Sequence, residues 1–437
     1  VILRARENLG WLLLACAGMA STAWLGLYGF GWNDYDTEAR PAIDALIQGH
    51  LNSFFELAPV YGGSLLERAP FALAPSLWGG GELAVYRMMA LPCLLAAGVL
   101  GLWLVAQMRS RGAGRLALAV ALGLCVANPL TLAALELGHP DELLGAALCA
   151  GAVLLAARGR GNWAGIALGL AIANKQWAVL AIGPVLVALP ARRLWCLACM
   201  AAVSAAVLAP FALLGGSSFA TSVRSAASAP NTVFQPWQVW WFFGHHGHVV
   251  RGIFGAIKPG YRTAPTWIGG ITHLLIAALA LPLSAPVLLR VRAARRADTP
   301  PQWATRRQSD ALLLLALLLL LRCMLDTWDV VYYPLPFILA LLAWEATSTA
   351  RPPVLALAGA VAVWAGCRWL PSFASADTQA AFFIAWSIPL AALLARSLYA
   401  PRALPHRREL LRQARQPLAA AVGNRHKVLD AHAEAAR

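Results

Sequence analysis

Three carboxylates stand within five residues in Trp32-Asn33-Asp34-Tyr35-Asp36-Thr37-Glu38, directly after the first long apolar run of the chain. At such a boundary an acid is either a solvated loop residue or a group with a task. It can act as a general base, or a pair can hold a divalent cation, beside a substrate delivered by the bilayer. Asp34 and Asp36 are the two candidates for a base, and spacing alone does not choose between them.

Four further groups have chemistry in reach. In Gly138-His139-Pro140-Asp141-Glu142, preceded by Glu136, the acids open an apolar segment. They either cap that helix or face a site, and His139 taken alone reads as a structural donor. Asn174-Lys175-Gln176 interrupts an apolar stretch. A cation near membrane depth needs an acid, a polar cavity or an anionic ligand such as a phosphate, unless it snorkels to the headgroups. Arg322 lies about a turn inside its apolar run, with Asp326 four residues on and Asp329, Tyr332 and Tyr333 following. That spacing fits an internal ion pair, or an arginine facing a phosphate with the tyrosine pair lining the pocket. His245, His246 and His248 fall in a long loop, where solvated histidines are the ordinary case and contact with a phosphate or sugar is the alternative.

The elements that must position these groups are membrane spans. Of 437 residues 59% are hydrophobic and 13% charged, more apolar side chain than a soluble domain buries. With about 20 residues per span, helices are expected near 9–29, 83–106, 115–134, 142–157, 194–214, 266–289, 310–325, 329–346, 352–370 and 379–396. The stretch 162–190 is too long for one span and is read as two short ones meeting at Lys175, which makes about twelve in an all-α polytopic fold. The first run is read as a retained span, without an A-x-A cleavage pattern. The long loop from Gly31 to about Glu82 carries Ile43, Leu46, Ile47, Leu51, Phe54 and Phe55 at helical spacing, which predicts interfacial helices. A second long loop, Gly215 to about Pro265, is rich in aromatics. Residues 1–400 form the transmembrane domain in this reading, and 401–437 a basic cytoplasmic tail.

Charge tests the count. With both termini cytoplasmic, 25 of 35 basic residues fall on cytoplasmic segments and 13 of 20 acids on the outer face. A single span over 162–190 would invert every later loop and place the basic run Arg290 to Arg307 outside. The formal charge of +15 is therefore mainly a topology signal with some affinity for anionic lipid, and it argues against nucleic acid as a partner. All eight cysteines lie in apolar runs, so no disulfide framework is expected, and Cys196-x-x-Cys199 lacks the second ligand pair of a zinc site. P-loop, G-x-G-x-x-G, H-E-x-x-H and G-x-S-x-G motifs are all missing, which leaves a nucleotide-fed cytoplasmic reaction without machinery. Sparse intramembrane charge argues against an ion-coupled transporter.

In the order Asp34, Asp44 to Gly49, Gly138 to Glu142, Gly165 to Gln176 and Arg322 to Tyr333, the chain resembles the membrane-embedded C-type glycosyltransferases. Within them it is similar to the family 87 mannosyltransferase-like proteins of actinobacteria. The resemblance implies a multi-pass plasma-membrane enzyme of the cell envelope that works on the extracytoplasmic side. It would transfer a sugar, usually mannose, with inversion, from a polyprenyl-phosphate donor to a lipid or glycan acceptor. By position Asp34 is the implied base, with Asp36 the near alternative. Lys175, Arg322 or a loop histidine (His245, His246) would meet the donor phosphate, and His139, Asp141, Glu142, Asp326, Tyr332 and Tyr333 would line the substrate site. No metal or other cofactor is expected, although the nearby acids leave room for a divalent cation. The rivals are a flippase of lipid-linked sugars and a non-catalytic scaffold subunit.

Overall fold

The computed structural model describes residues 2–27, 33–228, 233–251, 257–296 and 302–400. Residues to Leu394 form one contact unit, and Ala395–Arg437 a second, whose described part is the end of the last helix. The basic tail expected over 401–437 lies outside the described residues.

The first unit is helical nearly throughout. Helix α1 (Ile2–Leu27) leads into a loop that itself folds as a π-helical turn over Tyr35–Ala39, then α2 (Arg40–Ile47), α3 (Leu51–Leu57) and α4 (Gly62–Leu73). Ile43, Phe54 and Phe55 of that loop are buried, as their spacing predicts. Next come α5 (Glu82–Ser110), α6 (Arg115–Val126), α7 (Pro129–Glu136), α8 (Asp141–Ala157), α9 (Gly161–Asn174) and α10 (Ile182–Ala188). They are followed by α11 (Arg193–Leu214) and α12 (Gly216–Ser228). A two-stranded antiparallel hairpin, β1 (His245–Arg251) and β2 (Ile257–Thr263), precedes α13 (Thr266–Arg296) and α14 (Gln302–Leu325). Last are α15 (Leu335–Ser348), α16 (Val354–Trp364) and α17 (Ala376–Tyr399). Eight of these segments are long and apolar enough to cross a membrane. The shorter α8, α9, α10 and α15 lie among them, α15 buried along nearly its whole length, whereas α1, α11, α13 and α17 keep much of their surface for lipid.

Three local features shape the bundle. The expected span 115–134 is broken at Asn128-Pro129. There Leu130 N–H is donated to Asn128 Oδ1 (2.9 Å) instead of to the helix, and the Thr22 hydroxyl of α1 donates to the Val126 carbonyl thus left over (2.6 Å). Gly165 and Gly169 of α9 face α11 so closely that a Cβ would lie 2.5 Å from Cys196 O and 2.8 Å from Met200 O. Small residues of this kind let helix backbones approach in lipid. At Lys175 the chain leaves α9 in extended conformation, makes a 3-10 turn over Gln176–Ala181 and returns through α10. The return brings Leu189 back to the start of α9, where a Cβ on Gly161 would meet Leu189 Cδ1 at 3.6 Å. Residues 162–190 are thus two short helical pieces meeting at Lys175.

Contacts sort the helix ends to two sides. On one, Arg109 meets Asn8 and Glu7, Arg111 donates to Ala346 O (3.4 Å), Arg307 to Ala157 O (3.4 Å), and Arg290 pairs with Asp310 (2.9 Å). On the other, Arg87 donates to Leu27 O (3.1 Å), Arg368 pairs with Glu136 (2.7 Å) and Val239 N–H donates to Met324 O (2.8 Å). The span expected from 329 begins at Leu335, because Asp326 to Pro334 is spent on a turn above α14. The hairpin in the aromatic loop has no counterpart in the sequence reading. It is held at its root by buried Phe234, Trp241, Tyr261, Ile268, Ala376 and Ala380.

Candidate functional site

The turn after α1 is bolted to the end of α7. Asn33 Nδ2 donates to Glu136 O (2.8 Å) while Asn33 Oδ1 accepts from Tyr35 N–H (2.9 Å), and Tyr35 packs on Tyr86 at 4.7 Å between ring centroids. Gly138 makes the close approach possible. Its φ is +93°, and a Cβ there would run into Tyr35 N and lie 3.0 Å from Asn33 Oδ1. Within this turn the two candidate acids have different surroundings. Asp36 is buried, and its carboxylate accepts from Asn33 N–H (3.0 Å) and from Arg40 (3.3 Å). Asp34 keeps 52% of its side chain exposed and faces His139, Oδ2 to Nε2 3.3 Å.

His139 is buried between rings, 4.8 Å from Tyr332 and 5.8 Å from Tyr61, with Nδ1 turned toward Asp141 Oδ1 at 3.9 Å. Behind it runs a buried row of alternating charge. Arg68 of α4 approaches Asp141 at 3.7 Å, Lys175 meets Asp141 at 2.7 Å and Glu142 at 3.7 Å, and Arg322 reaches Glu142 at 4.0 Å. Lys175 also lies over the Tyr61 ring (4.0 Å), and Arg322 over Trp177 (5.1 Å) and Tyr333 (4.8 Å). Asn174 Nδ2 donates to Asp141 O (2.8 Å) and Gln176 Nε2 to Val60 O (2.6 Å), tying the break in the apolar stretch to α8 and the first loop. Burying so many charges is tolerable only because each meets an opposite one.

The i, i+4 pair anticipated between Arg322 and Asp326 does not form. Asp326 pairs with His273 of α13 (3.4 Å) and accepts from Trp328 N–H (3.0 Å), while Arg322 donates to Tyr333 O (3.1 Å). Although burial works the other way, the His273 hydrogen bond and charge, with Arg322, hold the Asp326 carboxyl below its ordinary range. Burial pushes Asp329 well above that range. In the first loop, burial pushes the Glu67 carboxyl up to about 8, and burial followed by Glu38 raises Tyr61, whose hydroxyl donates to Glu38 Oε2 (2.5 Å).

Asp34, His139, Asp141, Glu142, Lys175, Arg322, Tyr332 and Tyr333 are thus brought together, with Asp326 at the margin. His245 and His246 are not. Both are exposed on β1, where His246 lies against Asp377 (3.3 Å) and Arg262 (2.5 Å), and neither bonds the cluster among the described residues. Tyr61, Arg68, Trp177 and His273 were not singled out by sequence, since a lone tyrosine, arginine or histidine in a loop or span carries no spacing signal. Asp34, Glu38 and His139 bring one ligand atom each within 4.8 Å of one another, a set able to hold a divalent cation.

The profile of Glycosyltransferase family 87 matches residues 63–321, more than half of the chain. That range holds Arg68, the His139 turn and Lys175, and it ends beside Arg322. No curated protein and no solved structure matches the chain. The buried charged cluster at the helix ends, the apolar helices around it and the matched profile lead to one statement of kinship: the chain belongs to glycosyltransferase family 87, a family of membrane glycosyltransferases.

Proposed function

We propose that the protein transfers a sugar, mannose by family habit, from a polyprenyl-phosphate donor to a hydroxyl of a lipid or glycan acceptor, inverting the anomeric carbon. The bundle crosses the plasma membrane twelve times with its arginine-rich ends in the cytoplasm, and the cluster around Asp34 faces the other side. The observation that carries the reading is the contrast between two neighbouring acids. Asp36 is committed to Asn33 and Arg40, whereas Asp34 is open and oriented by His139.

Asp34 takes the proton of the acceptor hydroxyl as that oxygen bonds to the anomeric carbon. The carbon–oxygen bond to the phosphate breaks on the opposite face, and the polyprenyl phosphate leaves with the electron pair. His139 faces the Asp34 carboxylate and is itself packed between the Tyr332 and Tyr61 rings. The buried row contains three cations, Arg68, Lys175 and Arg322, against two anions, Asp141 and Glu142, so it carries one positive charge in excess. That excess complements the charge developing on the leaving phosphate. No step calls on a metal.

The test is to incubate protein-containing vesicles with labelled polyprenyl-phosphate mannose and a lipid extract. Transfer of label that is abolished in Asp34→Asn, with expression and folding intact, is the expected result. Label that crosses the bilayer without bond cleavage would make the protein a flippase, and neither outcome would leave a scaffold subunit. Transfer that survives in Asp34→Asn and fails in Asp36→Asn would move the base two residues along.

A further inference from the structure

The aromatic loop carries cations in a stretch of chain that supplies no carboxylate to meet them. The chain has no Asp or Glu between Glu142 and Asp298, yet residues 215–265 within that stretch carry Arg224, Arg251, Lys258 and Arg262 together with His245, His246 and His248. Elsewhere on this side cations rest on carboxylates: Arg40 on Glu82 (2.6 Å), Lys175 on Asp141 (2.7 Å), Arg368 on Glu136 (2.7 Å). Arg262 likewise rests on Asp377 (3.0 Å). Arg251 and Lys258 are exposed and, among the described residues, make no ion pair. They sit at the far end of the hairpin, in the paired positions Val250 with Lys258 and Arg251 with Ile257.

Apolar surface accompanies this charge. Phe243 is 62%, Ile257 67% and Trp267 54% exposed. Phe243 packs on Trp240 (6.1 Å) and Trp240 on Trp267 (6.3 Å), in the first turn of α13. Exposed apolar side chains therefore stand at both ends of the hairpin, Phe243 and Trp267 at its root and Ile257 beside Arg251 at its far end. The root is fixed, because Arg262 and Trp241 Nε1 (2.7 Å) both bond Asp377 of α17. A soluble anion would need donors converging in an enclosure, and it would leave the aromatics in water. Headgroups satisfy both the exposed rings and the unpaired cations, since aromatic rings settle at headgroup level and each cation near an anionic leaflet gains attraction.

We propose that the exposed far end of the β1–β2 hairpin, where Arg251 and Lys258 leave opposite faces of the ribbon, docks on anionic phospholipid headgroups of the adjoining leaflet. Arg251 and Lys258 meet headgroup phosphates, and Phe243, Ile257 and Trp267 sit at the boundary with the acyl chains. The experiment is native mass spectrometry of the full chain in detergent, titrated with phosphatidylglycerol or phosphatidylcholine. Arg251→Gln/Lys258→Gln is expected to weaken phosphatidylglycerol binding by roughly 10- to 30-fold, about five-fold per cation, with phosphatidylcholine binding unchanged. The control Arg160→Gln/Arg351→Gln, at the opposite helix ends, is expected to leave that hairpin-dependent component in place. Matching thermal melts of the variants exclude unfolding as the cause. Undiminished phosphatidylglycerol binding in the hairpin variant would overturn the proposal. So would displacement of the lipid by millimolar inorganic phosphate, which would make this a site for a free anion, or equal loss for both lipids.

Discussion

Lys175→Met is the most informative perturbation of the buried row. The ammonium lies 2.7 Å from Asp141 and 3.7 Å from Glu142, and its partners are 1% and 2% exposed. At an effective dielectric constant of about 20 those separations correspond to roughly 6 and 4 kcal/mol of attraction, offset in the native protein by the cost of desolvating three charges. Removing the cation alone leaves both acids buried, with Arg68 at 3.7 Å and Arg322 at 4.0 Å as looser partners. Breaking a buried pair from one side costs about 3–5 kcal/mol. Thermal unfolding of the purified protein, followed by tryptophan fluorescence, should therefore move down by roughly 3–5 °C. Lys175→Met/Asp141→Asn removes the stranded charge as well, and should recover more than half of the loss, a coupling that only residues in contact show. If the single variant melted within about 1 °C of wild type, or the double variant fell below the single one, the row would not be an energetically coupled unit. The stable double variant then serves for donor binding, which should weaken if Lys175 faces the phosphate.

Asp36→Asn should cost about 1–2 kcal/mol through the Arg40 and Asn33 contacts while measurable transfer persists, whereas Asp34→Asn should lower the rate 10²- to 10⁴-fold. Gly138→Ala places a Cβ at positive φ against the Tyr35 backbone. Melting and transfer should fall together, with a loss of about 1–3 kcal/mol. Burial raises the Glu67 carboxyl to about 8, so between the ordinary carboxylate value and pH 8 the unfolded chain ionises this group and the native protein does not. Stability should fall as pH rises through that window, by about 3 kcal/mol at pH 7, and level off above pH 8. Glu67→Gln should flatten the dependence. A wild-type melt that does not fall between pH 5 and pH 8 relative to Glu67→Gln would contradict that reasoning.

Much of this protein is decided by chemistry local in sequence. Apolar runs of span length need lipid wherever they pack, and the break at Lys175 cannot lie within one continuous span, so the helical pieces and their changes of direction follow from composition and charge. Asp34, His139, Asp141, Lys175 and Arg322 are legible for the same reason, since a polar residue at the end of an apolar run is costly without a partner. Which partner it finds depends on residues far along the chain. Arg322 and Asp326 share a helical face, yet Arg322 turns to Glu142 of α8 and Asp326 to His273 of α13, partners that only the packing of those helices supplies. Arg68 enters the cluster only because α4 folds back over α9, where Gly63 packs on the Ala173 carbonyl. The choice between Asp34 and Asp36 is tertiary as well. Two acids separated by one residue are equivalent in sequence, and they become different when Asn33 fastens the turn to Glu136, directing one carboxylate inward to Arg40 and the other outward to His139.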